Sequence, residues 1–450
     1  MIRLKAAFAR LIGRLIRFTG RGGGTTLPGR VLLKLDRDAV DKLGAGLSEG
    51  STLISATNGK TTTASMLAVI LAAEGRHPVH NRTGSNMNWG VATALLEQDG
   101  DEGLFEVDEA WLAETASRLD PHTILLANLF RDQLDRYGET EALADAWLGL
   151  ARERAASTTF VLNADDPLVA DIGRASGPDT SYFGIEDGSV ASAELQHASD
   201  AKNCRVCGAE LTYELAFVGH LGHYRCPSCG MVRPAPEVSA HEVRLTGMTG
   251  LGARIRSPEG SAELELPLPG LYNLYNALGA IATARALGIP VGAAVASLAS
   301  MKAVFGRVER IPVGSTELSI LLIKNPAGAN EVLRTLALEP EPVDLWVGLN
   351  DRIADGRDVS WIWDADFEEL ADRVRSVVCA GTRAPEMAVR LKYAGWPTER
   401  IEVVGELDRS LERALEARPG RLFALPTYTA LLELRQLLAD RYDADRYWQG

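Results

Sequence analysis

The stretch that most restricts the fold is Thr57-Asn58-Gly59-Lys60-Thr61-Thr62-Thr63, set between an apolar run, Thr52 to Ala56, and a helical pattern, Thr61 to Glu74. At a strand-to-helix junction, Gly59 lets the backbone approach a phosphate closely. Lys60 supplies charge for the β and γ oxygens, the Thr61 hydroxyl is placed for Mg²⁺, and the helix N-terminus adds its partial positive charge. Ile54 stands where the first glycine of the full G-x-x-x-x-G-K-[ST] pattern belongs, so the assignment rests on the strand before and the helix after. A magnesium nucleotide also needs a carboxylate near the end of a later strand, and Phe105-Glu106-Val107-Asp108-Glu109 offers candidates.

Around this unit, short apolar runs alternate with longer helical patterns, as in a parallel sheet covered by helices. Leu104 to Val107, Ile124 to Leu129 and Phe160 to Asn163 read as strands, and Glu139 to Arg154 as a helix. The pattern breaks at about residues 200–235, then resumes with short strands at Glu242 to Leu245, Ala253 to Arg256 and Ala262 to Leu266 and a helix from about Asn276 to Leu287. A second alternation begins near Arg310, with strands at Leu318 to Ile323, Leu345 to Leu349, Val377 to Ala380, Ile401 to Val404 and Leu422 to Leu425. The expected architecture is α/β throughout: an N-terminal segment 1–45, a P-loop domain 46–308 with an insertion, and a C-terminal α/β domain 309–450. Gly20 to Gly24 would serve as a flexible joint.

Residues 1–35 contain eight Lys or Arg and no Asp or Glu, whereas the whole chain carries a net charge of −13. Ile2, Leu4, Phe8, Leu11, Leu15 and Ile16 recur at helical spacing among Arg3, Lys5, Arg10, Arg14 and Arg17, which predicts a basic amphipathic helix. Two roles are open to it: docking its apolar face on the domain behind, or lying on an anionic membrane surface. Apolar runs are too short for a membrane span and no signal-peptide cleavage pattern follows the N-terminus, so a cytoplasmic protein is expected, with the inner face of the membrane open to it through the basic helix.

Cys204-x-x-Cys207 and Cys226-x-x-Cys229 are separated by 18 residues, and Gly208 and Gly230 follow the two pairs. That spacing predicts a closed structural zinc site of four thiolates. His220 and His223 lie between the pairs and are expected to be surface residues. Zinc ribbons also occur in nucleic-acid-binding proteins, but this segment is neither strongly basic nor rich in aromatics, so no nucleic-acid partner is expected. Cys379, in Val377-Val378-Cys379-Ala380, reads as a buried strand residue.

Four segments together resemble the Mur ligase family: T-N-G-K-T-T-T at Thr57 to Thr63, N-x-x-x-D-Q-L-D at Asn128 to Asp135, V-L-N-A-D-D-P at Val161 to Pro167, and P-G-x-Y-N-x-x-N-A at Pro269 to Ala277. Three features are similar to the MurT branch of that family. No domain of about a hundred residues precedes the phosphate loop, four cysteines are inserted in the ATPase domain, and K-N-P-A-G-A-N-E-V-L (Lys324 to Leu333) and A-D-G-R-D-V-S-W-I-W-D (Ala354 to Asp364) are present.

The resemblance implies a synthetase that activates the D-glutamate α-carboxylate of lipid II with ATP and Mg²⁺, the ammonia coming from a GatD-like glutaminase subunit. It also implies a nucleotide site of Asn58, Gly59, Lys60, Thr61, Thr62, Asn273 and Arg307, with Asn276 a second contact, and magnesium held by Thr61 and Glu109. Lys60, Glu109 and Asp355 are the residues expected to carry the chemistry, Asp355 by completing the partner's Cys-His pair, with Asp351 the second choice. This sequence departs from the family pattern at Ala56 for Gly, Gln133 for His, and Leu321 and Lys324 for Asp and His; it has no Lys between Gly138 and Asn163. These changes suit ammonia as nucleophile, which needs no amino-acid pocket. Two rivals predict different behaviour: an amino-acid-adding ligase of folylpolyglutamate synthetase type, and a zinc-ribbon ATPase stimulated by nucleic acid.

Overall fold

The computed structural model describes residues 2–18, 26–81, 85–131, 140–177, 179–192, 195–196, 199–301, 307–416 and 420–442, without the side chains of 3, 15–18, 307 and 308. Gln133, and with it the end of the Asn128 to Asp135 motif, lies outside the described residues, as does the Arg307 side chain.

Nine strands form the first sheet: β1 (Ser51–Ser55), β2 (Val79–His80), β3 (Gly103–Glu106), β4 (Thr123–Leu126), β5 (Thr159–Asn163), β6 (Thr180–Ile185), and, beyond the hairpin β7 (Thr212–Val218) and β8 (Leu221–Arg225), the strands β9 (Val238–Leu245), β10 (Leu251–Ser257) and β11 (Gly260–Leu266). Their order is β11-β10-β9-β6-β5-β4-β1-β3-β2. β1 pairs in parallel with β3 on one side and β4 on the other. The loop after β1 therefore sits where successive strands depart in opposite directions, the crevice in which open α/β sheets bind ligands.

Period-two alternation builds the core on both faces of this sheet. Ile54, Leu125, Val161 and Phe183 join the cluster under the helices Lys60–Ala73 and Leu271–Ala286. Leu53, Phe105, Ile124 and Phe160 join the one on the opposite face. The expected helix from Asn276 begins five residues earlier, at Leu271. Gly270, at φ 85°, makes the turn into it, and Leu271 and Leu274 are already buried.

The second sheet holds β12 (Arg307–Val313), β13 (Thr316–Leu321), β14 (Val343–Gly348), β15 (Val374–Ala380), β16 (Ile401–Val403) and β17 (Gly420–Pro426), in the order β12-β13-β17-β14-β15-β16. Apart from the antiparallel β12–β13 hairpin its strands run parallel. Cys379 is fully buried in β15, and burial pushes its thiol up to about 12.

The N-terminal helix Ile2–Phe18 forms as the sequence predicts. It docks through Ala6 and Ala9, which pack with Leu32 and Leu96, and Lys5 reaches Asp36 at 3.0 Å. Its larger side chains Leu4, Phe8 and Leu11 remain exposed. No helix among the described residues is long and apolar enough to cross a membrane.

Candidate functional site

The phosphate loop is held from three sides. From the end of β4, Asn128 clasps it: the Asn58 N–H donates to Asn128 Oδ1 at 2.9 Å, and Asn128 Nδ2 donates to the Asn58 carbonyl at 3.0 Å. From the second sheet, Asn325 and Asn58 exchange side-chain amide bonds at 3.1 and 3.3 Å, and Lys324 Nζ donates to the Thr57 carbonyl at 3.2 Å. From the helix Leu271–Ala286, Asn276 Oδ1 accepts from Thr63 Oγ1 at 3.1 Å. A Cβ on Gly59, which has φ 89°, would lie 2.0 Å from that same Asn276 oxygen. Both backbone conformation and space thus demand glycine.

Lys60 is not on an exposed loop. It is the first residue of its helix and is buried, its ammonium 2.7 Å from Glu109 Oε2 and also donating to the Ala56 carbonyl. Burial would push the Glu109 carboxyl up, but Lys60 and then Lys324 outweigh it and hold the group below its ordinary value. Thr61 is half-buried beside it on the first turn. Of the other two acidic candidates, Asp108 accepts from the Ala110 N–H at 3.3 Å and Glu106 is buried in β3. Asn276 touches the loop directly, whereas Asn273 lies behind it, accepting from Asn276 Nδ2 at 3.1 Å and donating to the Pro269 carbonyl at 2.7 Å.

Beside Asn58 and Gly59 opens a cleft of about 800 Å³, open solvent included, walled by Phe130, Tyr272, Tyr275, Val218, Leu221 and Leu321. Aromatic and aliphatic walls next to a phosphate loop suit the flat ring of a nucleotide base. One wall carries Glu331, which is 2% exposed with neither carboxylate oxygen hydrogen-bonded among the described residues. Burial pushes its carboxyl up to about 7. Sequence inspection passed over it; the available signal was a carboxylate on a helix, Pro326–Ala337, whose neighbours Ala327, Asn330 and Val332 are all buried.

The four cysteines converge, with all Sγ atoms within 4.8 Å of one another. Cys204–Cys229 and Cys207–Cys226 stand at 3.6 and 3.5 Å, near the roughly 3.8 Å edge of a tetrahedron with Zn–S bonds of about 2.3 Å. Gly208 and Gly230, at φ 76° and 77°, close the two knuckles, donating to the Cys204 and Cys226 carbonyls at 2.8 and 3.1 Å. The donor set and its geometry fit zinc.

The hairpin above the knuckles is more than a surface insertion. Its tip supplies Val218 and Leu221 to the cleft. Arg334, on the same helix as Glu331, donates to the Phe217 carbonyl at 2.9 Å. The expectation that His220 and His223 are surface residues is overturned. His220 is fully buried, its ring 4.7 Å from Phe130 and its Nε2 3.4 Å from Asp166 Oδ2. His223 is half-buried with Nε2 2.8 Å from the Ile185 carbonyl. The apolar tip Phe217-Val218 draws the turn inward and carries His220 with it. Asp165, of the Val161 to Pro167 motif, completes the anchorage by binding Arg233, the Ile185 N–H at 2.9 Å and the Tyr275 hydroxyl at 2.7 Å.

Beyond β14, Asp355 is half-buried and held by the start of the helix Tyr428–Tyr442: Oδ1 accepts from the Thr429 N–H at 2.7 Å and Oδ2 from the Thr429 hydroxyl. Asp351 accepts from Thr382 Oγ1 at 2.8 Å and Arg383 Nε at 2.7 Å, and these two hold its carboxyl below the ordinary value. Asp351 borders an open hollow with Arg352, Arg357, Thr429 and the exposed Ile353, and Asp355 adjoins it through Thr429.

Two family models match this chain, the Mur ligase middle domain over residues 54–224 and the MurT ligase C-terminal domain over residues 322–431. The lipid II isoglutaminyl synthase (glutamine-hydrolyzing) subunit MurT of Streptococcus pneumoniae is 35% identical over 449 residues, covering 97% of this chain and 98% of that protein. The chain belongs to the MurT family. Its fold is that of the Mur ligases: a pseudomurein peptide ligase type C from Methanothermus fervidus superposes with a TM-score of 0.71 at 24% identity, covering 89% of this chain and 80% of the other. MurF ligase from Thermotoga maritima in complex with ADP gives 0.64 at 14% identity, covering 91% and 84%.

For a member of the MurT family, the expected site residues fall into two groups. Asn58, Gly59, Lys60, Thr61, Thr62, Glu109 and Asn276 gather at the end of β1, with Asn273 behind them. Arg307 opens β12, paired to Leu321. Asp351 lines a separate hollow beyond the end of β14, and Asp355 adjoins it through Thr429.

Proposed function

We propose that this chain is the synthetase subunit of a glutamine-hydrolysing lipid II isoglutaminyl synthase. It would convert the D-glutamate α-carboxylate of lipid II to D-isoglutamine at the inner, cytoplasmic face of the membrane, with ammonia from a GatD-like glutaminase. The observation that carries this is the buried Lys60–Glu109 pair at the head of the phosphate loop, in a chain similar along its length to a glutamine-hydrolysing lipid II synthase subunit.

The reaction runs in two steps. A carboxylate oxygen attacks the γ-phosphorus of ATP, the bond to the β-bridging oxygen breaks, and ADP leaves with that electron pair. Ammonia then attacks the acyl carbon, phosphate leaves with the carbon–oxygen electron pair, and the nitrogen sheds a proton to give the amide. Lys60, freed from Glu109 by the incoming triphosphate, and Arg307 would offset charge on the transferring phosphoryl group, while Asn58, Gly59 and Thr62 seat the phosphates. Thr61 and Glu109 would hold Mg²⁺, which supplies further charge neutralisation there. Glu109 suits this because Lys60 and Lys324 keep it ionised in a buried place. Zinc held by Cys204, Cys207, Cys226 and Cys229 would be structural.

Labour divides by segment in this proposal: 1–45 for attachment, 46–308 for ATP, 309–450 for closing the site and meeting the glutaminase. The test is glutamine-dependent amidation of lipid II by the chain co-purified with its glutaminase, followed by mass spectrometry. Turnover with an amino acid in place of ammonia, or ATP hydrolysis driven by nucleic acid, would overturn it.

A further inference from the structure

The helix Ile2–Phe18 faces the opposite way from an amphipathic helix that packs on its own domain. Such helices turn their large apolar side chains inward. Here the small residues are inside: Ala6, Ala9 and Gly13 are buried, and a Cβ on Gly13 would lie 2.8 Å from the Pro28 ring. Three of the large ones are outside, with Leu4 84%, Phe8 53% and Leu11 54% exposed, while Ile2 and Ile12 are half-buried. At about 100° per residue, these three fall within an arc of roughly 60° on the face opposite Gly13.

Charge is distributed to match. Exposed Arg14 lies beside the apolar arc, while Arg10, farther round towards the docked face, donates from its guanidinium Nε to the Leu96 carbonyl at 2.6 Å. Residues 1–35 hold eight basic and no acidic side chains in a chain of net charge −13, so this segment is opposite in charge to the rest. In the next helix, Leu27 and Leu35 are each 43% exposed as well.

We propose that this face is a membrane-surface contact, the helix lying flat in the headgroup layer of an anionic bilayer with Leu4, Phe8 and Leu11 dipping towards the acyl chains and the arginines meeting lipid phosphates. The choice of a bilayer as occupant rests on charge complementarity and on the proposed lipid-linked substrate, which keeps the reaction at that surface.

The experiment is vesicle flotation of the full-length chain with its glutaminase, using phosphatidylcholine alone and phosphatidylcholine mixed with phosphatidylglycerol. The expected result is flotation with the anionic vesicles, lost in high salt. Binding should fall by about tenfold or more in Leu4→Ser/Phe8→Ser/Leu11→Ser, whose changes are all on exposed positions, and should weaken in Arg14→Glu. The triple variant should also amidate a lipid-free, water-soluble substrate analogue as fast as the parent protein while losing rate on substrate embedded in anionic vesicles. Absence of flotation by the parent, equal flotation by the triple variant, or a parent dimer that the triple variant dissociates would each overturn the proposal. Failure to amidate either substrate would instead sink the functional reading, since flotation is measured without turnover.

Discussion

Lys60 and Glu109 form a buried ion pair, ammonium to carboxylate 2.7 Å, and this makes the lysine structural as well as chemical. Removing one partner of a buried pair strands the other charge, at a cost of about 3–5 kcal/mol. Lys60→Ala should therefore lose amidation by about a hundred- to a thousandfold and also unfold at lower denaturant. The doubly neutral Lys60→Met/Glu109→Gln variant should regain most of the stability and none of the activity. Denaturant titration of the three proteins checks this; unchanged stability in Lys60→Ala would refute the buried pair.

Zinc and nucleotide should be coupled, because the hairpin that the cysteines fold ends with Val218 and Leu221 at the cleft beside the phosphate loop. Protein purified without chelator should contain one zinc per chain by metal analysis. Stripping it, or Cys204→Ser, should weaken ATP binding as measured by calorimetry, even though no cysteine lines the cleft. A zinc-free chain that binds ATP normally would show that the hairpin tip holds its place without the metal.

Glu331 should make stability depend on pH. Its carboxyl is pushed from 4.5 to about 7 in the fold, so between those values the native protein binds more protons than the unfolded chain. The contribution is fully present below pH 4.5 and is lost as pH rises through about 7. Glu331→Gln, neutral at every pH, should match the parent near pH 4 and exceed it by about 3 kcal/mol at pH 8. Parallel melting curves across that range decide the matter; identical pH slopes would contradict the shift.

Much of this was legible in the sequence, and the misses have physical causes. β1, β5 and the helix Lys60–Ala73 lie within a residue or two of their expected bounds because alternating or continuous apolar runs mark them. The helix Asn88–Glu97 was passed over: eight of its ten residues are buried, so no polar face gives it a period. β2, two residues long, leaves no pattern at all. In the site, residue types announced Lys60 and Glu109, but their direct pairing depends on a contact across 49 positions. The inward turn of His220 depends on where Phe130 lies in three dimensions. The N-terminal helix was expected from its period, yet which face docks follows from Gly13 and the alanines fitting closely, not from hydrophobicity.

Asp355 offers the sharpest test of the proposed division between ammonia supply and ATP chemistry. It lies in the loop after β14, with both its oxygens anchored on Thr429, while the phosphate loop is built around Asn58, Gly59 and Lys60 at the end of β1. A carboxylate fixed in this way can still accept a further bond, and a partner's imidazole would be oriented and its protonated form stabilised by it, as in hydrolytic triads. Asp355→Asn keeps the shape and an oxygen towards Thr429 but removes the charge. In the complex it should abolish glutaminase turnover and glutamine-dependent amidation while sparing amidation driven by added ammonium salt. Asp351, already committed to Thr382 and Arg383, should have the smaller effect as Asp351→Asn. Equal loss of both activities in Asp355→Asn would assign the residue to the synthetase site, and loss of neither would remove it from the mechanism.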